Sequence, residues 1–67
     1  MMSVRVNGEL LEIKRAGNVR ELVEELQLAP NTLLIEHNGL ALRREEWDGR
    51  ILNEDDGIEI IRIVAGG

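Results

Sequence analysis

The chain has 67 residues, no cysteine, Trp47 as its only aromatic side chain and a net charge of −5. That length allows one domain with a thin core, and the missing thiols exclude a disulfide framework or a thiolate metal site. Eight basic residues scattered among thirteen acidic ones argue against nucleic acid and for a basic protein partner or plain solubility. With no apolar leader in Met1–Asn7 and no run near the roughly 18 residues of a membrane span, a soluble, cytoplasmic chain without a membrane partner is expected.

In chain order, Val4 and Val6 alternate with Ser3, Arg5 and Asn7, and Leu11 and Ile13 alternate with Glu12 and Lys14. Asn7-Gly8 between them is a strong hairpin signal, since both residue types tolerate the positive φ of a type I′ turn. Glu9 and Leu10 fit either the turn or the second strand. Arg15-Ala16-Gly17 breaks the alternation, and Asn18 with Glu21 three residues on resembles a capping box. Val19, Leu22, Val23 and Leu26 then form one helical stripe that docks on a sheet, over about three turns ended by Pro30.

Leu33-Leu34-Ile35 reads as a strand with little exposed face. It leads into a second Asn-Gly turn at Asn38-Gly39 and a short strand, Leu40-Ala41-Leu42. The polar stretch Arg43 to Gly49 reads as a turn or a single helical turn that brings Trp47 down over the core. Asn53 to Gly57 is a turn by composition. The final run, Ile58 to Val64, is the most β-prone, yet it puts apolar groups on both faces: Ile58 and Ile60 on one, Ile61 and Ile63 on the other. One helix cannot cover both, so either the strand carries a bulge or Ile61 and Ile63 form an exposed strip.

Catalytic chemistry is not legible. His37 is the only histidine and reads as a surface turn residue without metal partners. Glu54-Asp55-Asp56-Gly57 lacks the spacing of a cation loop and reads as a plain acidic turn. No enzyme, bound cofactor or metal is expected. The remaining candidate is the tail, Val64-Ala65-Gly66-Gly67, expected to project from a single domain spanning 1–67. Glycine has no Cβ to obstruct a narrow channel, so Gly66 provides clearance and Gly67 carries the α-carboxylate. A carboxylate is a poor electrophile, and transfer chemistry through it needs ATP to form an acyl-adenylate. Without cysteine, sulfur could be carried only as a terminal thiocarboxylate.

Several stretches in this order carry a resemblance: Gly17-Asn18-Val19-Arg20-Glu21-Leu22-Val23, Ile35-Glu36-His37-Asn38-Gly39, Arg44-Glu45-Glu46-Trp47, Asp55-Asp56-Gly57-Ile58-Glu59-Ile60 and Ala65-Gly66-Gly67. The sequence resembles the ThiS family of thiamine-biosynthesis sulfur carriers over nearly its whole length. One departure is Arg43, where that family commonly has proline. The resemblance implies an α+β, ubiquitin-like β-grasp fold, a mixed four- to five-stranded sheet packed on one short helix. It further implies that Gly67 is adenylated by a ubiquitin-activating-type adenylyltransferase, with ATP consumed by that partner. A persulfide-bearing sulfur donor enzyme then converts it to a thiocarboxylate, which thiazole synthase consumes. Ile61, Ile63, Val64 and Ala65 are the expected partner-binding residues of a carrier that is monomeric when free. A small subunit of molybdopterin synthase, a protein modifier and a non-catalytic interaction module stand as alternatives.

Overall fold

The computed structural model describes residues 2–63; the expected tail, Val64 to Gly67, lies outside the described residues. Strands β1 (Met2–Val6) and β2 (Glu9–Ile13) form the antiparallel hairpin. Asn7 and Gly8 have φ of 52° and 82°, as a type I′ turn requires. The register pairs Val4 with Leu11 and Arg5 with Leu10, so Glu9 and Leu10 belong to the strand. Val4 and Ile13 are buried and Leu10 faces outward.

Helix α1 (Val19–Glu25) starts where the sequence places it: the Asn18 side chain accepts from the Glu21 N–H at 2.8 Å. Glu21 does not return the bond to Asn18; its carboxylate accepts from Gly17 N–H at 2.8 Å, one residue earlier. The helix ends sooner than predicted, after two turns rather than three. Gln27 takes the left-handed conformation, φ 58°. Gln27 N–H then bonds Glu24 C=O and Leu28 N–H bonds Val23 C=O, a Schellman ending with glutamine where glycine is usual. Pro30 instead opens a 3-10 turn, Pro30–Thr32. A further tie holds the helix in place: the Glu25 carboxylate accepts from the N–H groups of Lys14, Arg15 and Ala16, each at 2.9 Å.

Strands β3 (Leu33–His37) and β4 (Leu40–Leu42) flank the second Asn-Gly turn, with φ of 51° and 85° at Asn38 and Gly39. A 3-10 helix, Arg44–Gly49, carries Trp47 into the core at 2% exposure. Arg43, the departure from the family pattern, has φ −78° and ψ 154°, a conformation proline would also adopt. Its N–H, which proline would lack, donates to Glu46 Oε1 at 2.6 Å. Strand β5 (Gly57–Arg62) completes a five-stranded sheet of order β2-β1-β5-β3-β4, parallel between β1 and β5 and antiparallel elsewhere. With one helix on one face, this is the α+β β-grasp architecture.

Val4, Ile35 and Ile58 on the sheet meet Val19, Leu22 and Val23 on the helix, all nearly inaccessible. Complete burial of such side chains contributes about 1.5–3 kcal/mol each. The prediction for β3 needs correction: the strand alternates strictly, with Leu33, Ile35 and His37 buried and Leu34 and Glu36 exposed. One helix covers one face only, and the apolar run does not change that. Among the described residues, no helix is long and apolar enough to cross a membrane.

Candidate functional site

Strand β5 runs through the sheet and delivers the chain to its end, and each stage of it is held. At its start, Asn38 Oδ1 accepts from Gly57 N–H at 2.7 Å and Asn38 N–H donates to Gly57 C=O at 2.7 Å. Beyond the end of β1, the Asn7 side chain substitutes for the missing strand. Its Oδ1 accepts from Ile60 N–H at 2.8 Å and its Nδ2 donates to Ile60 C=O at 3.1 Å. On the other edge, Ile63 N–H donates to Thr32 C=O at 2.6 Å. Both turn asparagines therefore do more than accept a positive φ; they clamp the strand that leads to the tail. Asn-Gly in the sequence signals the turn but carries no sign of this second role.

The parity conflict in β5 resolves without a bulge. The pairing with β3 is continuous from His37–Ile58 to Leu33–Arg62, Ile58 is buried, and Ile61 and Ile63 are 54% and 48% exposed. Leu34 lies directly across from Ile61 and is equally exposed, so the outer strip includes a residue the sequence reading missed. The signal was present: one helix covers one face, and Leu34 has opposite parity to Leu33 and Ile35. Of the other expected site residues, Val64, Ala65, Gly66 and Gly67 lie outside the described residues.

His37 is not a surface residue, and Asp56 is not part of a plain acidic turn. Both are buried, with His37 Nε2 and Asp56 Oδ2 2.7 Å apart. Arg50 Nε donates to His37 Nδ1 at 3.1 Å, which leaves Nε2 as the nitrogen that carries the proton toward Asp56. Asn38 Nδ2 and Asn53 N–H also donate to the Asp56 carboxylate, at 3.0 and 2.8 Å. Burial pushes the Asp56 pKa up, but the bonds from Asn38, His37 and Asn53 outweigh it and hold the carboxyl below its ordinary range. The parity of 33, 35 and 37 placed His37 on the inner face; nothing local marked Asp56 as its partner. The cluster joins the β3–β4 turn to the start of β5. Among the described residues no three His, Asp or Glu side chains converge to hold a metal ion.

Among the described residues, β5 is thus clamped along its length, and the exposed side chains of Leu34, Ile61 and Ile63 lie beside its end. The ThiS family model matches residues 4–67. The chain belongs to the ThiS family. That membership places it among the sulfur carriers of thiamine biosynthesis. Its fold is similar to the crystal structure of a thiamine biosynthesis protein, ThiS, from Geobacter metallireducens, at a TM-score of 0.82 and 32% identity, covering 98% of this chain and all of that one. A thiazole synthase of Magnetococcus marinus is 29% identical over 66 residues; this ThiS-family chain spans 20% of that protein's length. An uncharacterized protein, ycf40, of Trieres chinensis is 26% identical over 62 residues, 92% of this chain and 85% of that one.

Proposed function

We propose that this ThiS-family protein carries sulfur as a thiocarboxylate on Gly67 and is a substrate of enzymes rather than an enzyme. The Gly67 carboxylate attacks the α-phosphorus of ATP in an adenylyltransferase of the ubiquitin-activating type, releasing pyrophosphate. The terminal sulfur of a persulfide on the donor enzyme then attacks the acyl-adenylate and expels AMP. Cleavage of the resulting acyl disulfide by a thiol leaves the thiocarboxylate, whose sulfur passes to thiazole synthase. The protein's own contribution is presentation: β5 fixes the root of the tail, Gly66 leaves a channel unobstructed, and Ile61 and Ile63 belong to the docking surface.

The observation that carries this reading is the family match through residue 67. The likeness to a segment of a thiazole synthase supports that enzyme as the consumer. Intact-mass measurement after incubation with adenylyltransferase, ATP and a persulfide donor tests it. Replacement of one oxygen by sulfur is expected at the C-terminal residue, and deletion of Gly67 should abolish it. An unchanged mass under conditions that charge another carrier would refute the reading.

A further inference from the structure

The outer face of the sheet carries, next to its apolar strip, a pair of like charges with no ion-pair partner among the described residues. Glu36 on β3 and Glu59 on β5 are directly opposite in the antiparallel register, and both are exposed. Ile58 and Ile60 direct their backbone groups toward β1 and Asn7, so Glu59 lies in a hydrogen-bonded pair with Glu36, their Cα atoms about 5.5 Å apart. Like charges so placed destabilise a sheet. The ion pairs among the described residues are Arg20–Glu24, Arg20–Asp48 and His37–Asp56, none involving either carboxylate. Arg5 shares the outer face beside Gly57 and is paired with neither.

Two residues along the same two strands, the next cross-strand pair on this face is Leu34 and Ile61. Ala41 flanks Glu36 from β4. The face is thus apolar at the tail end of β5 and doubly anionic immediately behind.

From this juxtaposition we infer that Glu36 and Glu59 form a two-carboxylate clamp for one arginine or lysine of a partner protein, whose neighbouring apolar side chains cover Leu34, Ile61 and Ile63. A guanidinium between the carboxylates removes their repulsion and donates charge-assisted hydrogen bonds to both of them. The unfavourable pair in the free protein becomes a favourable contact only in the complex. A second copy of this chain does not fit: face-to-face pairing would bring four carboxylates together. This inference rests on the carrier reading for the choice of partner, and thiazole synthase is the probe.

Equilibrium binding of the full chain to purified thiazole synthase tests it, at low and at high salt, for the unaltered protein and for the Glu36→Gln/Glu59→Gln double variant. The variant loses two like charges from an exposed face and should melt no lower than the parent. Its affinity should nevertheless fall about tenfold or more, and most of the salt dependence should disappear. Equal affinity of variant and parent, or no binding by the parent, would overturn the clamp. Thiocarboxylate formation is read separately: a charged carrier with an unaffected double variant keeps the carrier reading and sinks the clamp. Weakened binding without any thiocarboxylate does the reverse.

Discussion

Asp56 receives hydrogen bonds only from donors: His37 Nε2, Asn38 Nδ2 and Asn53 N–H. An ionised carboxylate satisfies all of them, whereas an amide must turn an NH₂ toward at least one. Asp56→Asn should therefore cost about 2–3 kcal/mol despite its near-identical shape, measured by urea denaturation at neutral pH. The pH dependence follows from the lowered pKa. Because the folded value lies below the unfolded one, the contribution is complete above the unfolded carboxyl pKa. It declines as pH falls toward and through the folded value. The difference between parent and variant should accordingly shrink on acidification; one that grew would contradict the assignment. The same logic of contacts explains what the sequence left hidden. The inward parity of His37 is written in the strand pattern, but its partner lies 19 residues away, beyond the reach of any local period.

Helix α1 shows where local chemistry suffices and where it does not. Its start was legible because Asn18 and Glu21 act within one turn of each other. Its end was not, because Gln27 has no chemical preference for the left-handed conformation it adopts; the helix stops there so that Leu28 can fold back. Leu28 then lines, with Leu26 and Leu33 among others, a hollow of about 250 Å³ beside Ile60 and Arg62. Gln27→Gly should therefore stabilise the protein by about 0.5–1 kcal/mol, relieving the left-handed strain at an exposed position. The thermal midpoint should rise by a few degrees. The gain should be absent for Gln27→Ala, which keeps the Cβ. At the same end of the element, Glu25 accepts three backbone N–H groups, and the bonds from Lys14 and Arg15 lead in holding its pKa below the ordinary carboxylate range. Glu25→Gln retains one acceptor oxygen of two and should loosen the β2–α1 connection, read as faster amide exchange at Lys14, Arg15 and Ala16.

For the whole molecule, one sheet serves two purposes on its two faces, and alternate residues of β3 and β5 divide the work. Ile35 and Ile58 are at most 2% exposed and hold the helix; Leu34 and Ile61 are each 54% exposed on the opposite face. A 67-residue domain has roughly 3–10 kcal/mol of total stability. Truncating Ile35 or Ile58 to alanine should cost about 2–5 kcal/mol, enough to unfold a substantial fraction of the protein at physiological temperature. Replacing Leu34 or Ile61 by serine should change stability by no more than about 0.5 kcal/mol. Under the proposed carrier function, these two substitutions should instead reduce the rate of Gly67 charging by an adenylyltransferase, through KM rather than kcat, because they remove apolar contact area and leave the sequence of residues 64–67 unchanged. Melting curves and initial rates on the same four variants separate the faces. If Leu34→Ser and Ile61→Ser lost stability and kept their charging kinetics, the outer strip would be structural and docking would have to be sought elsewhere. The β-grasp topology makes this division stable, since a single helix can bury only one side of the sheet. The other side remains available beside the strand that leads to Gly67.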